Sequence, residues 1–257
     1  MDRADLVQQD LSTLDRTGPQ PLKGLRLLVT DLDLQQREHR GIAVYSKALL
    51  KVLKDAGAET WLLTDFEPRL QDPGLKHLPA KARELIFTAR VMEALVSGHG
   101  GRRSPYWDAK LSRMSRLAKL RRFWLRLGEV LDKLAPRRYD MSRMPRVNLH
   151  QQLDSPYFRQ ERLAYFDDLD GIVCARHFYA NAIRRGLARR PHPLPITLGT
   201  DFDGLITTCP LNVATVGSGS FVQTVHDLIP LEYVPHLDHV GFFGQRLSSC
   251  VNARKLF

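Results

Sequence analysis

Leu25-Arg26-Leu27-Leu28-Val29-Thr30 is a compact apolar run rich in branched side chains, and together with the segments after it this run decides the fold. Asp31 to Arg40 is polar, as a loop should be. Gly41 to Ala56 then repeats apolar residues at helical spacing, with Ile42, Tyr45, Leu49, Leu50 and Leu53 on one side and Gly57 as a stop. Thr60 to Thr64 is a second short apolar run. Strand, loop, helix and strand in this order form a βαβ unit, which predicts a parallel sheet with helices on its faces.

Outward from this unit the signals weaken. Residues 1 to 21 read as a polar leader that ends at Gly18-Pro19 and Pro21. Asp154-Ser155-Pro156 has the chemistry of a helix start. Helical patterns are expected through Phe166 and again from Ile172 to Leu187. Further strands are expected at Leu205 to Thr208 and Phe221 to Val225, and a helix at Phe242 to Leu256. The chain has 257 residues, 43% of them hydrophobic and 26% charged, which excludes wholesale disorder. Three separated cysteines, Cys174, Cys209 and Cys250, make neither a disulfide framework nor a paired-thiol zinc site. With no signal peptide and no long apolar stretch, the expected location is the cytoplasm.

The net charge of +10 is local. Residues 81 to 146 hold 17 Lys+Arg against six Asp+Glu, and the rest of the chain balances to within one charge. Between Asp108 and Leu134, Leu111, Met114, Leu117, Leu120, Trp124, Leu127, Leu131 and Leu134 recur every three or four residues, as on one helix face. Arg113, Arg116, Lys119, Arg121, Arg122 and Arg126 occupy much of the remainder. Three readings stay open: a solvated surface helix, an interfacial helix on an anionic membrane, or a nucleic-acid contact. The last is disfavoured, because no familiar binding signature accompanies the patch.

Two segments carry candidate chemistry. Thr224-Val225-His226-Asp227-Leu228-Ile229-Pro230-Leu231 ends a strand in two ionisable groups, at the sheet edge where open parallel sheets bind ligands. Arg40-Gly41-Ile42-Ala43-Val44-Tyr45-Ser46 sits where the first loop enters the first helix, and helix N-termini favour anions. Together, and in this order, the two segments resemble the N-terminal domain of the family 4 glycosyltransferases of GT-B architecture. The first retains Arg40, Gly41, Ile42, Tyr45 and Ser46, with Ala43 where many relatives have a second glycine. The second is complete from His226 to Leu231.

The resemblance covers residues 22 to 65 and 200 to 250. It implies a Rossmann-like α/β domain and a retaining, metal-free sugar transfer without a cofactor. The sugar passes from a nucleotide-sugar donor to a saccharide or lipid-linked acceptor, in polysaccharide or glycolipid biosynthesis. His226 would hydrogen-bond the donor sugar or the acceptor, and Asp227 would orient His226 or cap the following loop. Arg40, Gly41, Ile42 and Tyr45 would line the same cleft. Residues 22 to 257 are then expected to be one glycosyltransferase N-terminal domain, with a basic helical insertion at about 76 to 150. The donor-binding C-terminal domain would be absent from the chain and supplied by a separate partner. The alternative is a non-catalytic basic module for an anionic membrane surface or a partner protein, peripheral at the inner face of the membrane.

Three weaker patterns are read as structural. Val216-Gly217-Ser218-Gly219-Ser220 precedes a strand, so a turn is expected there and not a phosphate loop. His236 and His239 lack zinc-helix spacing. Glu59 and Glu67 match the spacing of the family's glutamate pair but flank the second strand, so their spacing is taken as chance.

Overall fold

The computed structural model describes residues 20–34, 41–66, 77–97, 138–149, 161–186, 193–225 and 255–256. The expected βαβ unit is present. β1 (Arg26–Thr30) leads to α1 (Ile42–Asp55) and to β2 (Glu59–Thr64), which pairs parallel to β1. The helix α2 (Ala80–Ser97) follows, then β3 (Tyr139–Asp140), β4 (Arg146–Asn148) and β5 (Gly171–Cys174). The helix α3 (Phe178–Gly186), β6 (Leu194–Thr197), β7 (Gly204–Thr207), β8 (Val213–Val216), β9 (Ser220–Gln223) and β10 (Lys255–Leu256) complete the described α-helices and strands.

Among the described residues, seven strands form one sheet in the order β10-β9-β7-β1-β2-β5-β4. All pairs are parallel except β4 with β5. From β1 the chain builds outward through β2 and β5, then returns to the other side of β1 for β7, β9 and β10. This reversal of direction makes the β1–β7 boundary a topological switch point of the doubly wound kind.

Both faces of this sheet are covered. Leu27, Val29, Leu62 and Ile172 pack under Leu50 and Leu53 of α1 and Phe87, Val91 and Leu95 of α2. The opposite face carries Leu28, Leu63, Val173, Leu205 and Phe221, which meet Phe178, Tyr179 and Ala182 of α3. It also meets a second, three-stranded parallel sheet, β3-β6-β8, through Tyr139, Ile196 and Val213. Burial on both faces explains why β1, β2 and β5 read as unbroken apolar runs.

Several expectations are corrected. Ile172 to Leu187 is not one helical stretch, because Gly171–Cys174 is the interior strand β5 and α3 begins only at Phe178. A short apolar run buried on both sides has no period of its own, so helix and strand cannot be told apart there by pattern. The helical pattern expected through Phe166 is present as a 3-10 helix, Glu161–Asp168. The stretch from 76 to 150 is helical at Ala80–Ser97, but its end supplies β3 and β4. Lys255–Leu256 is strand where helix was expected. The leader up to residue 19, the helix start at 154–156 and residues 242–254 lie outside the described residues.

Candidate functional site

The candidate site is the carboxyl edge of the main sheet at the β1–β7 switch point. The chain leaves β1 for α1 on one face, and leaves β7 for β8, whose Val213 packs on the other. Between these exits the strand ends are polar. Thr208 N donates to Thr30 Oγ1 (3.1 Å), and the two hydroxyls lie 3.3 Å apart. Thr208 Oγ1 in turn donates to Asp33 Oδ2 (2.8 Å), so Thr30 is left to donate to Thr208. This relay joins the loop after β1 to the end of β7 directly across the boundary.

A second bond set fixes Asp31, the first residue after β1, which is fully buried. Asp31 N donates to the Tyr179 hydroxyl (2.8 Å), whose own proton faces Asp31 Oδ1 (2.8 Å) and Leu63 O (2.6 Å). Burial, and then the neighbouring Asp31 carboxylate, push the Tyr179 phenol well above its ordinary value of 10.0. The phenol therefore stays protonated and keeps its role as a donor. Tyr139 steadies the adjacent loop after β5, donating to Arg176 O (2.8 Å) while accepting from Asn181 Nδ2 (2.8 Å). His177 in that loop adopts a left-handed backbone conformation, φ 59°.

The described parts of the two sequence segments, Gly41 to Ser46 and Thr224 to Val225, meet at this edge. Gly41 caps α1 with φ 46°, and a β-carbon there would have nothing within 4 Å. The cap residue, Gly41, has no side chain to cap the helix, and the first turn contains no acidic residue, so the positive end of the dipole is left unopposed by the helix's own side chains. Tyr45 reaches over to Thr224, just beyond β9, with the two hydroxyl oxygens 3.4 Å apart. Ile42 and Tyr45 are each 38% exposed, while Ala43, Ser46, Leu50 and Leu53 form the buried stripe. Ile42 and Tyr45 thus stand apart from the buried stripe at the first turn of α1.

Arg40, His226 and Asp227 lie outside the described residues, as do Arg113, Arg116, Lys119, Arg121, Arg122, Trp124 and Arg126. His236, His239 and Glu67 do so too. The described chain reaches Val225, one residue short of His226. Glu59 lies at the opposite, amino end of the sheet, where its carboxylate pairs with Arg26 (2.9 Å) and accepts from Trp61 Nε1 (2.8 Å). Residues 216 to 220 form the expected turn into β9, with Gly217 at φ 104°. Among the described residues, no three His, Cys, Asp or Glu side chains gather in a metal-binding group. Nor is any helix there long and apolar enough to cross a membrane.

Asp31, Asp33, Thr208 and Tyr179 were not singled out in the sequence. A signal for Asp31 and Thr208 existed: apolar runs that end in Thr30-Asp31 and Thr207-Thr208 place polar groups at strand ends. Tyr179 had none, since its partner lies 148 residues away. No protein-family model, curated protein or solved structure matches this chain.

Proposed function

We propose that this chain supplies the acceptor-side domain of a retaining, GT-B, family 4-like glycosyltransferase, which moves a sugar from a nucleotide-sugar donor to a saccharide or lipid-linked acceptor. One observation carries the reading. The Tyr45–Thr224 contact, between residues 179 positions apart, brings the helix start, Gly41 to Ser46, beside the residue that leads into the His226–Leu231 segment. A switch point of this topology is also where open α/β sheets bind their ligands. In this reading His226 hydrogen-bonds a sugar hydroxyl, and Thr30, Asp33 and Thr208 shape the floor beneath it. The uncapped start of α1 suits the donor's phosphates.

The test is an NMR titration of the full chain with a panel of nucleotide sugars and neutral saccharides. Binding is expected to shift the amides of Thr208, Thr224 and Tyr45, and His226→Ala is expected to weaken it about tenfold. Saturable binding elsewhere, or none at the carboxyl edge, sinks the proposal. The local excess of basic residues at 81 to 146 favours a second, compatible role in meeting an anionic membrane. Co-sedimentation with phosphatidylglycerol vesicles at low salt is the expected result, and its absence removes that role.

A further inference from the structure

On the face covered by α3, the main sheet changes character within one step of its carboxyl edge. Leu28, Leu205 and Phe221 are apolar and buried in the cluster on that face. Two residues further along the same strands stand Thr30, Thr207 and Gln223, which by strand alternation project from the same face. All three are fully buried. Thr207 and Gln223 are direct neighbours in the β7–β9 register.

Their hydrogen bonding is incomplete in a specific way. Gln223 Nε2 donates to Leu211 O (2.8 Å), which orients the amide and turns Oε1 away from that carbonyl. Among the described residues, neither Gln223 Oε1 nor Thr207 Oγ1 has a hydrogen-bond partner. Turning the amide over does not help, because Oε1 would then face the Leu211 carbonyl. Thr30 does not help either, since its hydroxyl is engaged with the Thr208 backbone N–H and hydroxyl. Two buried oxygens left this way, side by side on adjacent strands, are unfavourable unless a third group serves both.

We infer that Thr207 and Gln223 form a binding site for a single hydroxyl-type group. That group donates to Gln223 Oε1 and exchanges a hydrogen bond with Thr207 Oγ1. An ionised carboxylate or phosphate does not fit, because Gln223 Oε1 has no proton to give and Thr30, Thr207 and Gln223 carry no charge. The guest is a water or an alcohol hydroxyl. Both offer the same chemistry, and water commonly fills such sites when two or more polar partners converge. The site lies three residues before His226 in sequence, but the inference does not depend on the glycosyltransferase reading.

Oxygen-17 magnetic relaxation dispersion on the full chain counts long-lived buried waters and tests the site. Thr207→Val and Gln223→Met should each lower that count by one, while Thr207→Ser, which keeps the hydroxyl, should retain it. Thr207→Val should also raise the unfolding equilibrium constant about tenfold, through loss of the bridge. Saturating D-glucose separates the sources: a further loss from the wild-type count assigns the site to a ligand hydroxyl, and an unchanged count assigns it to resident water. Retention of the full count in either Thr207→Val or Gln223→Met overturns the inference.

Discussion

The two ends of the main sheet solve the problem of polar groups in opposite ways. At the amino end, charges are paired: Arg26 with Glu59, Arg146 with Asp201 (2.6 Å), and Lys54 with Asp170, whose other oxygen accepts from Thr60 N (2.7 Å). Arg146 also lies over the rings of Phe202 and Trp61, 5.1 and 5.9 Å from their centroids. At the carboxyl end, Thr30, Thr208 and Asp33 form a relay of hydroxyls ending on one carboxylate, and Asp31 is held by the neutral phenol of Tyr179. Charges paired within the fold have their field largely offset by the partner. Hydroxyl relays keep donors and acceptors oriented at modest desolvation cost, as a ligand edge requires. The amino end is thus held by paired charges, and the carboxyl end by oriented neutral groups and a single carboxylate relay.

Three perturbations sharpen this contrast. The largest effect is expected at the amino end, where Gly171 lies against Trp61. A β-carbon at 171 would stand 2.6 Å from Trp61 Cε3 and 2.7 Å from Cη2, inside the aromatic ring's contact distance. Gly171→Ala should cost about 3 kcal/mol in urea unfolding, and adding Trp61→Leu should recover part of that loss. If Gly171→Ala is neutral, the amino end is not a tightly packed base.

At the carboxyl end, Tyr179→Phe should cost about 2 kcal/mol, since it strips partners from Asp31 and Leu63 O. It should also alter the response to alkali. A phenol raised in the folded state adds stability that is fully present below its ordinary value of 10.0, and that is lost as pH climbs from there toward the folded value. The wild type should therefore weaken above about pH 10, and the Phe variant should lack that component. Parallel alkaline unfolding curves for the two proteins would break the assignment of the Asp31 support to a neutral phenol.

The smallest effect belongs to Asp168, at the amino end near Asp55 and Asp167. Burial, and then the Asp55 charge, raise its carboxyl above the ordinary 3.8. Such a group adds stability at low pH that is lost as pH rises through its folded value. Asp168→Asn should then stabilise the protein at pH 7 by up to about 0.5 kcal/mol. The gain should vanish below pH 3.8, and a gain that persists there would show that charge is not its cause.

The β1–α1–β2 unit was legible in the chain because each element there is local. The apolar run at 25 to 30, the helical spacing from 41 to 56 and the stop at Gly57 all act within a few residues. Leu205 and Phe221 were also legible as strand residues, within one or two positions of the observed ends. β5 was not, because its identity comes from neighbours on both sides and not from any period of its own. β3, β6 and β8 are short strands whose stability comes from pairing and from the face they cover, so no local pattern announced them.

The site divides in the same manner. The residue types in Arg40–Ser46 and Thr224–Leu231, and their order, were visible in the sequence alone, as was the concentration of positive charge between 81 and 146. Only the tertiary structure decided that Tyr45 meets Thr224, that Tyr179 supports Asp31, and that Thr207 and Gln223 are buried as neighbours on adjacent strands. These are pairings between strand ends brought together by a parallel sheet. Parallel neighbours are joined by long crossovers, so their contacts leave no signature in local spacing.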